Sequence, residues 1–244
     1  MKQLKSTPRV AIVALLAVSA FAMAASSVRA QAPAGSLWYN GDWDLVNGLA
    51  NETNTQVSDA RVYDNFIIPA GQTWNISALF SRDLVTTTVS SLAYEIRSGV
   101  SSGNGGTLLF SGTTAAFTQA ATGRTGFGFN EFTLTATGLN ITLPAGTYWL
   151  AVVPVGNGAG RSFISTTNGA GSVGMPPGTD GNAFFNSAQF TSNFVSTTDP
   201  SLGNGHDFSM GVIGRVVPEP ATWSLLATGL GMGIVALRRR RRSS

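Results

Sequence analysis

Cysteine is absent from this sequence of 244 residues, and histidine occurs once, as His206. Without cysteine the chain can form no disulfide, no thiolate nucleophile and no cysteine-ligated metal centre. A Ser-His-Asp triad would have to use His206. The segment closest to a nucleophile elbow, residues 170–174, lacks the first glycine and lies in a proline-rich stretch. The composition therefore argues against a catalytic triad, and the folded domain must depend on its apolar core and hydrogen bonds.

Positive charge is scarce between the two ends of the chain. Nine of the 15 lysines and arginines lie in residues 2–29 and 238–242, which leaves 15 − 9 = 6 arginines in residues 31–220. All 12 acidic residues lie in that middle section, whose formal charge is therefore 6 − 12 = −6. We expect no nucleic-acid partner, because phosphate binding needs a basic patch and the excess of basic residues belongs to the ends.

The N-terminus has the three parts of a secretory signal peptide. Three positive charges precede an apolar run over residues 10–25, and Val28 and Ala30 then supply the small side chains that a signal peptidase reads. We predict a signal peptide over residues 1–30, cleaved between Ala30 and Gln31. The alternative, an uncleaved anchor, would have an apolar run of only 16 residues, against about 20 for a membrane span.

The C-terminus combines a proline-flanked acid, an apolar run and five arginines. Residues 221–237 carry no charge and predict a transmembrane helix of about 26 Å. The arginines at 238–242 favour the cytoplasmic side, which places the rest of the chain outside the inner membrane. The two prolines keep the preceding backbone extended and expose Glu219 next to the membrane. The simpler alternative is a C-terminal anchor that is never processed.

This tail resembles the PEP-CTERM sorting signal of exported proteins in Gram-negative bacteria that make exopolysaccharide. The resemblance rests on residues 217–222, on the apolar helix after them and on the terminal arginines, in that order. It implies that an exosortase is the partner that processes the tail. It also implies a recognition element and a membrane stop, formed respectively by Val217, Pro218, Glu219 and Pro220 and by Arg238, Arg239, Arg240, Arg241 and Arg242.

Alternation of apolar and polar residues dominates residues 31–216. Trp74, Ile76, Ala78 and Phe80 follow a period of two, which is typical of a half-buried strand, and no stretch shows helical spacing. Residues 148–155 are continuously apolar, as in a central strand. The pattern predicts an all-β fold, a single antiparallel β-sandwich of jelly-roll-like type, in one domain over residues 31–216.

One short phrase occurs twice, as IPAGQTW at residues 68–74 and as LPAGTYW at residues 143–149. Proline in second place and glycine in fourth predict a turn that reverses the chain into a strand. The phrase LPAGTYWL is similar to one found in jelly-roll-like sandwiches of secreted bacterial proteins, and there it forms a hairpin. We interpret the repetition as the reuse of a favourable turn, with a duplicated half as the alternative.

Clustered aspartates suggest calcium as the one candidate cofactor, because hard cations prefer carboxylate and carbonyl oxygens. If the first and last strands are neighbours, several aspartates can converge, and Asp64 and Asp207 are the ligands that we predict. The simpler interpretation is that these are ordinary turn-forming residues. The wider set from which the two were chosen also contains Asp42, Asp44 and Asp59.

Two glutamates on predicted strands, Glu95 and Glu131, are the candidates for a glycosidase-type carboxylate pair. Solvated strand faces explain them better. The glycine-rich residues 168–182 predict a long loop, where a binding site can sit on a rigid scaffold.

The expected function is that of an exported, non-enzymatic surface or extracellular-matrix protein in a polysaccharide or biofilm layer. One alternative is a carbohydrate-binding module for extracellular polysaccharide, with Trp38, Tyr39 and Trp43 as the platform on which sugar rings stack. A secreted hydrolase is the lesser alternative.

Overall fold

The computed structural model describes residues 31–178, 180–202 and 205–218. In this part of the chain the backbone forms strands and one short 3₁₀ turn, Pro200–Leu202. The strands are β1 (Ser36–Tyr39), β2 (Trp43–Ala50), β3 (Glu52–Asn54), β4 (Ser58–Ile68), β5 (Gln72–Val85), β6 (Thr88–Ser98), β7 (Thr107–Thr114), β8 (Phe117–Gly126), β9 (Phe129–Ala136), β10 (Ile141–Leu143), β11 (Gly146–Asn157), β12 (Ser162–Thr167), β13 (Phe184–Ser187), β14 (Ser192–Ser196), β15 (Asp207–Phe208) and β16 (Met210–Pro218).

The strands form two sheets. Sheet one has the order β1-β16-β5-β12-β15, with β10 and β9 also paired to β5, β8 to β9, and β2 to β12. Sheet two has the order β14-β13-β4-β3-β11-β6-β7, with a further pairing of β4 to β11. All pairings are antiparallel except a short parallel contact between β3 and β11. The all-β prediction is confirmed, and so is the condition that the first and last strands are neighbours.

A hydrophobic cluster made from both sheets fills the space between them. Trp74, Ile76 and Phe66 are buried in it, together with Leu150 and Val152 of β11. Trp74 stacks on Phe66 with a centroid distance of 6.0 Å. The period of two therefore predicted the inward side correctly at Trp74 and Ile76, but from residue 79 onward Leu79 joins this cluster and Phe80 packs on Tyr39 instead.

Sheet two is also covered on its other face. Trp149, Ala151 and Val153 of β11 form a second cluster with Tyr63 and with phenylalanines of β13 and β14. The strand β11 is thus buried on both sides, as its continuous apolar sequence predicted.

The repeated phrase forms two turns that connect different sheets. Ile68 ends β4 in sheet two, and Gln72 begins β5 in sheet one; Gly71 between them has φ of +77°, which favours glycine. The second copy runs from β10 in sheet one to β11 in sheet two. Neither pair of strands is hydrogen-bonded together, so the hairpin expected from this phrase is wrong and each turn is an arch between sheets.

The long loop predicted over residues 168–182 extends to residue 183, just before β13, and closes one opening between the sheets. Val173 pairs with Tyr39 of β1, and Met175 pairs with Ile67 of β4. Gly178 lies so close to Asn40 that a Cβ would collide with the carbonyl oxygen of Asn40. The loop is therefore held against both sheets by backbone hydrogen bonds.

Several predictions concern residues outside the described ranges: the signal peptide over residues 1–30 with Ala30, the motif residues Glu219 and Pro220, the transmembrane helix over residues 221–237 and the arginines at 238–242. Within the described ranges, no helix is long and apolar enough to cross a membrane.

Candidate functional site

Three aspartates from distant parts of the chain meet beside the long loop. Asp64 lies on β4 opposite Leu150, Asp207 begins β15, and Asp180 belongs to the loop. One carboxylate oxygen from each aspartate lies within 4.8 Å of the other two. The structure thus brings together the two predicted calcium ligands, Asp64 and Asp207, and adds Asp180, which the sequence analysis missed.

The hydrogen bonds to these carboxylates come from neutral donors. Asp64 accepts the backbone N–H of Phe208 at 2.7 Å, the backbone N–H of Asn65 at 2.8 Å and the amide Nδ2 of Asn40 at 2.7 Å. Asp180 accepts Nδ2 of Asn65 at 2.9 Å. No ion pair between described residues reaches any of the three carboxylates.

Three oxygens at this cluster are buried without a hydrogen-bond partner among the described residues: Oδ1 of Asp207, of Asn65 and of Asn40. These residues are 1%, 2% and 1% exposed. The amide nitrogens of both asparagines are bonded to clustered carboxylates, so both side chains contact the cluster. Such oxygens are costly to bury unless something donates to them or coordinates them.

Burial and mutual repulsion act together on the acids. Burial raises the pKa of Asp64 well above its ordinary value, and the neighbouring Asp207 carboxylate raises it further. Burial also raises the pKa of Asp207 to about 6, with the charge of Asp180 contributing. Asp180 is exposed, and a cavity of about 190 Å³ lined by Asp180, His206 and Asp207 connects the cluster to solvent.

The other aspartates of the wider set lie elsewhere. Asp42 forms ion pairs with Arg82 at 2.6 Å and Arg124 at 3.1 Å. Asp44 accepts the hydroxyl of Thr166 at 2.6 Å. Asp59 is mostly exposed on β4, far from these contacts, and its weak ion pair with an arginine measures 3.6 Å.

The candidate catalytic residues do not assemble into one site. His206 places Nδ1 3.4 Å from Asp44. Glu95 lies on β6 in sheet two and Glu131 on β9 in sheet one. Both glutamates are buried, so the expectation of solvated strand faces is wrong.

The reason is that polar partners from neighbouring strands enclose each carboxylate. Glu95 pairs with Arg97 at 2.6 Å and accepts the Tyr63 hydroxyl at 3.0 Å. Glu131 accepts hydroxyl hydrogen bonds from Ser165 and Thr122, each at 2.7 Å.

The predicted sugar platform is also wrong. Trp38 and Tyr39 are fully buried, and Trp43 is 5% exposed. Trp38 packs on Phe66 in the core, and the Tyr39 hydroxyl donates to Asp42 at 2.7 Å. A ring that stacks on a sugar must present a face to solvent, and the loop 168–183 covers the strand that carries Trp38 and Tyr39.

The last strand runs directly into the tail. Strand β16 pairs with β5 along its length, with Val217 opposite Thr73 and Pro218 opposite Gln72. Val217 is partly exposed at this end of the sheet. The first half of the predicted recognition element is therefore still part of sheet one.

These features define an all-β domain whose last strand continues directly into the C-terminal segment. Residues 216–242 match the model of the PEP-CTERM protein-sorting motif, which confirms that prediction. The motif implies export, membrane-anchored processing and an exosortase as the processing partner. No curated protein and no solved structure matches the chain.

Proposed function

We propose that this chain is a non-enzymatic surface or extracellular-matrix protein with a structural or adhesive role in a polysaccharide or biofilm layer. The observation that carries the proposal is the sorting motif at residues 216–242, joined without a linker to a domain of two sheets. In this proposal a signal peptidase removes residues 1–30, and the apolar segment 221–237 then holds the chain in the inner membrane. An exosortase releases the domain, a jelly-roll-like sandwich, to the cell surface or medium.

The arrangement of polar residues supports a role without catalysis. Glu95 and Glu131 are each occupied by hydrogen bonds on different sheets. His206 has Asp44 beside it and lies at the rim of the acidic cluster. Neither arrangement offers the paired groups on which hydrolysis of a glycoside or an ester depends.

Substituting Glu219→Ala tests the sorting step. We expect the variant to accumulate uncleaved in the inner membrane, because it lacks the acid that the motif places between its two prolines. Intact mass of the protein from membranes and medium reports both terminal cleavages. Asp199→Ala changes an exposed acid that precedes the motif in the sequence; it is the control and should mature normally. Equal maturation of the Glu219 variant and the wild type would contradict the proposal.

One cleft favours carbohydrate binding as a second candidate function. It has a volume of about 560 Å³ and is lined by Phe163, Phe185, Phe190 and Arg161. Phe190 is 47% exposed, so its ring is accessible to a sugar. We expect Phe190→Ala to lower retention on exopolysaccharide from the producing strain, with exposed Phe127→Ala as the control. Equal retention of the two variants would exclude this cleft.

A further inference from the structure

We propose that Asp64, Asp180 and Asp207 form a calcium site, completed by the side-chain oxygens of Asn40 and Asn65. The site joins strand β4 of sheet two, strand β15 of sheet one and the loop 168–183. It is independent of the sorting step, because none of its residues lies in the tail.

The first argument is charge. Three carboxylates with oxygens within 4.8 Å of one another repel each other when they are ionised. The backbone and amide donors around them are neutral, and no described ion pair offsets the charge. A divalent cation removes this repulsion directly.

The second argument is the set of buried oxygens. Oδ1 of Asp207, of Asn65 and of Asn40 has no donor among the described residues. Two of these belong to amides whose nitrogen already bonds a clustered carboxylate. A coordinated cation would satisfy these oxygens, and no unpartnered donor is found beside them among the described residues.

The donor chemistry favours calcium over other metals. All five side chains offer oxygen, which hard cations prefer, and cysteine is absent from the chain. Calcium accepts six to eight oxygens in an adaptable arrangement, whereas magnesium demands a compact octahedron. Amide and carboxylate oxygens that come from two sheets and a loop fit the adaptable coordination of calcium. The cavity beside Asp180 supplies the route for the ion and room for water ligands.

A bound ion would fasten the loop to both sheets. Asp180 lies two residues after Gly178, which donates to the Asn40 carbonyl, and Gly181 donates to Asp207. Coordination therefore acts where the loop closes the opening between the sheets. We expect the ion to stabilise the folded state, since the unfolded chain cannot gather these residues.

The test is calcium titration of the full-length chain, purified in detergent and stripped with EDTA. We expect a binding heat by calorimetry and, at about 10 mM calcium, a rise in Tm of about 5–10 °C if the Kd is about 10⁻⁴ M. Asp180→Asn keeps the side-chain shape at an exposed position. It should bind calcium at least about tenfold more weakly, because ligand charge tunes the affinity. Asp207→Asn is the second variant, with the same expectation.

The matched control is Asp59→Asn, since Asp59 is another aspartate of β4 but has a side chain that is 65% exposed. It should keep the full calcium response. The proposal is overturned if the wild type shows neither binding heat nor a shift in Tm. It is also overturned if Asp180→Asn responds as the wild type does. An equal response to magnesium would overturn the choice of calcium.

Discussion

Two buried aspartates of this domain, Asp42 and Asp64, have opposite electrostatic surroundings. Asp42 receives two arginines, Arg82 and Arg124, and the hydroxyl of Tyr39. Asp64 receives only neutral donors and lies beside two further acids. The comparison teaches that the few arginines of the middle section are concentrated on particular partners. The site around Asp42 is balanced by the chain itself, and the one around Asp64 needs a ligand from outside.

Removing Arg82, which pairs with Asp42, should have the largest effect on the free energy of unfolding. Arg82 is 2% exposed, so Arg82→Met leaves the Asp42 carboxylate short of a buried counter-charge. We expect a loss of about 3–5 kcal/mol in the free energy of unfolding, measured by urea denaturation. Arg215→Met, at an exposed position, should change stability by no more than about 0.5 kcal/mol. Equal losses would mean that Asp42 does not depend on Arg82.

Asp83 is an intermediate case, because it is buried among neutral donors without a second acid in contact. It accepts hydrogen bonds from Ser81, from Asn51 at 3.0 Å and from Ser162 at 3.4 Å. Burial raises the pKa of Asp83 to about 7, the hydrogen bonds partly offset that rise, and the charge of Glu131 adds to it. The folded state therefore binds a proton at Asp83 that the unfolded state releases above about pH 4.

This pKa predicts stability that falls as pH rises from about 4 to 7. The contribution is up to about 4 kcal/mol, and it is fully lost above the folded pKa. We expect Asp83→Asn to gain stability relative to the wild type across that interval, measured by urea denaturation at several pH values. For comparison, hydrogen bonds from Ser201 lower the pKa of exposed Asp199. As pH rises, Asp199→Asn should therefore lose a little stability relative to the wild type, whereas Asp83→Asn gains. Parallel curves for Asp83→Asn and the wild type would contradict the prediction.

Placing a positive side chain in the acidic cluster should balance its charge, as arginines balance the charge of Asp42. In Asp180→Lys an exposed acid becomes an ammonium group beside Asp64 and Asp207. We expect Tm in EDTA to rise by about 2–4 °C, corresponding to about 1 kcal/mol, and the calcium response to vanish. Thermal unfolding with and without calcium measures both effects. A variant that still needs calcium for full stability would show that charge is not what the cluster lacks.

The smallest effect should come from an aspartate that belongs to neither site. Asp59 forms a surface ion pair of 3.6 Å with Arg61. Asp59→Asn should cost about 0.5 kcal/mol or less by urea denaturation, because solvent screens the pair. A loss as large as that of Arg82→Met would remove the distinction between exposed and buried aspartates.

Local sequence signals anticipated much of the fold. The period of two at Trp74 and Ile76 of β5 and the continuous apolar run of β11 predicted which side chains enter the core there. These patterns are local because successive side chains of a strand point to opposite faces. They did not anticipate that Glu95 would be buried, since alternation identifies the face of a strand but not whether another segment covers that face.

The sequence predicted two of the three aspartates of the candidate cation site. Asp64 and Asp207 were suggested by acid clustering and by the pairing of the first and last strands, which the structure contains. Asp180 was missed because it follows a glycine- and proline-rich stretch without periodicity. Its position depends on the pairings of Val173 with Tyr39 and of Met175 with Ile67, both between residues more than a hundred positions apart.

The amino-acid sequence by itself determined the sorting tail, the all-β character and the scarcity of positive charge, because each of these is a property of neighbouring residues or of composition. Only the tertiary structure decided which acids meet, which are paired with arginine and which aromatic rings are covered. The physical reason is that burial and electrostatic energy depend on distances through space, and long-range strand pairing sets those distances.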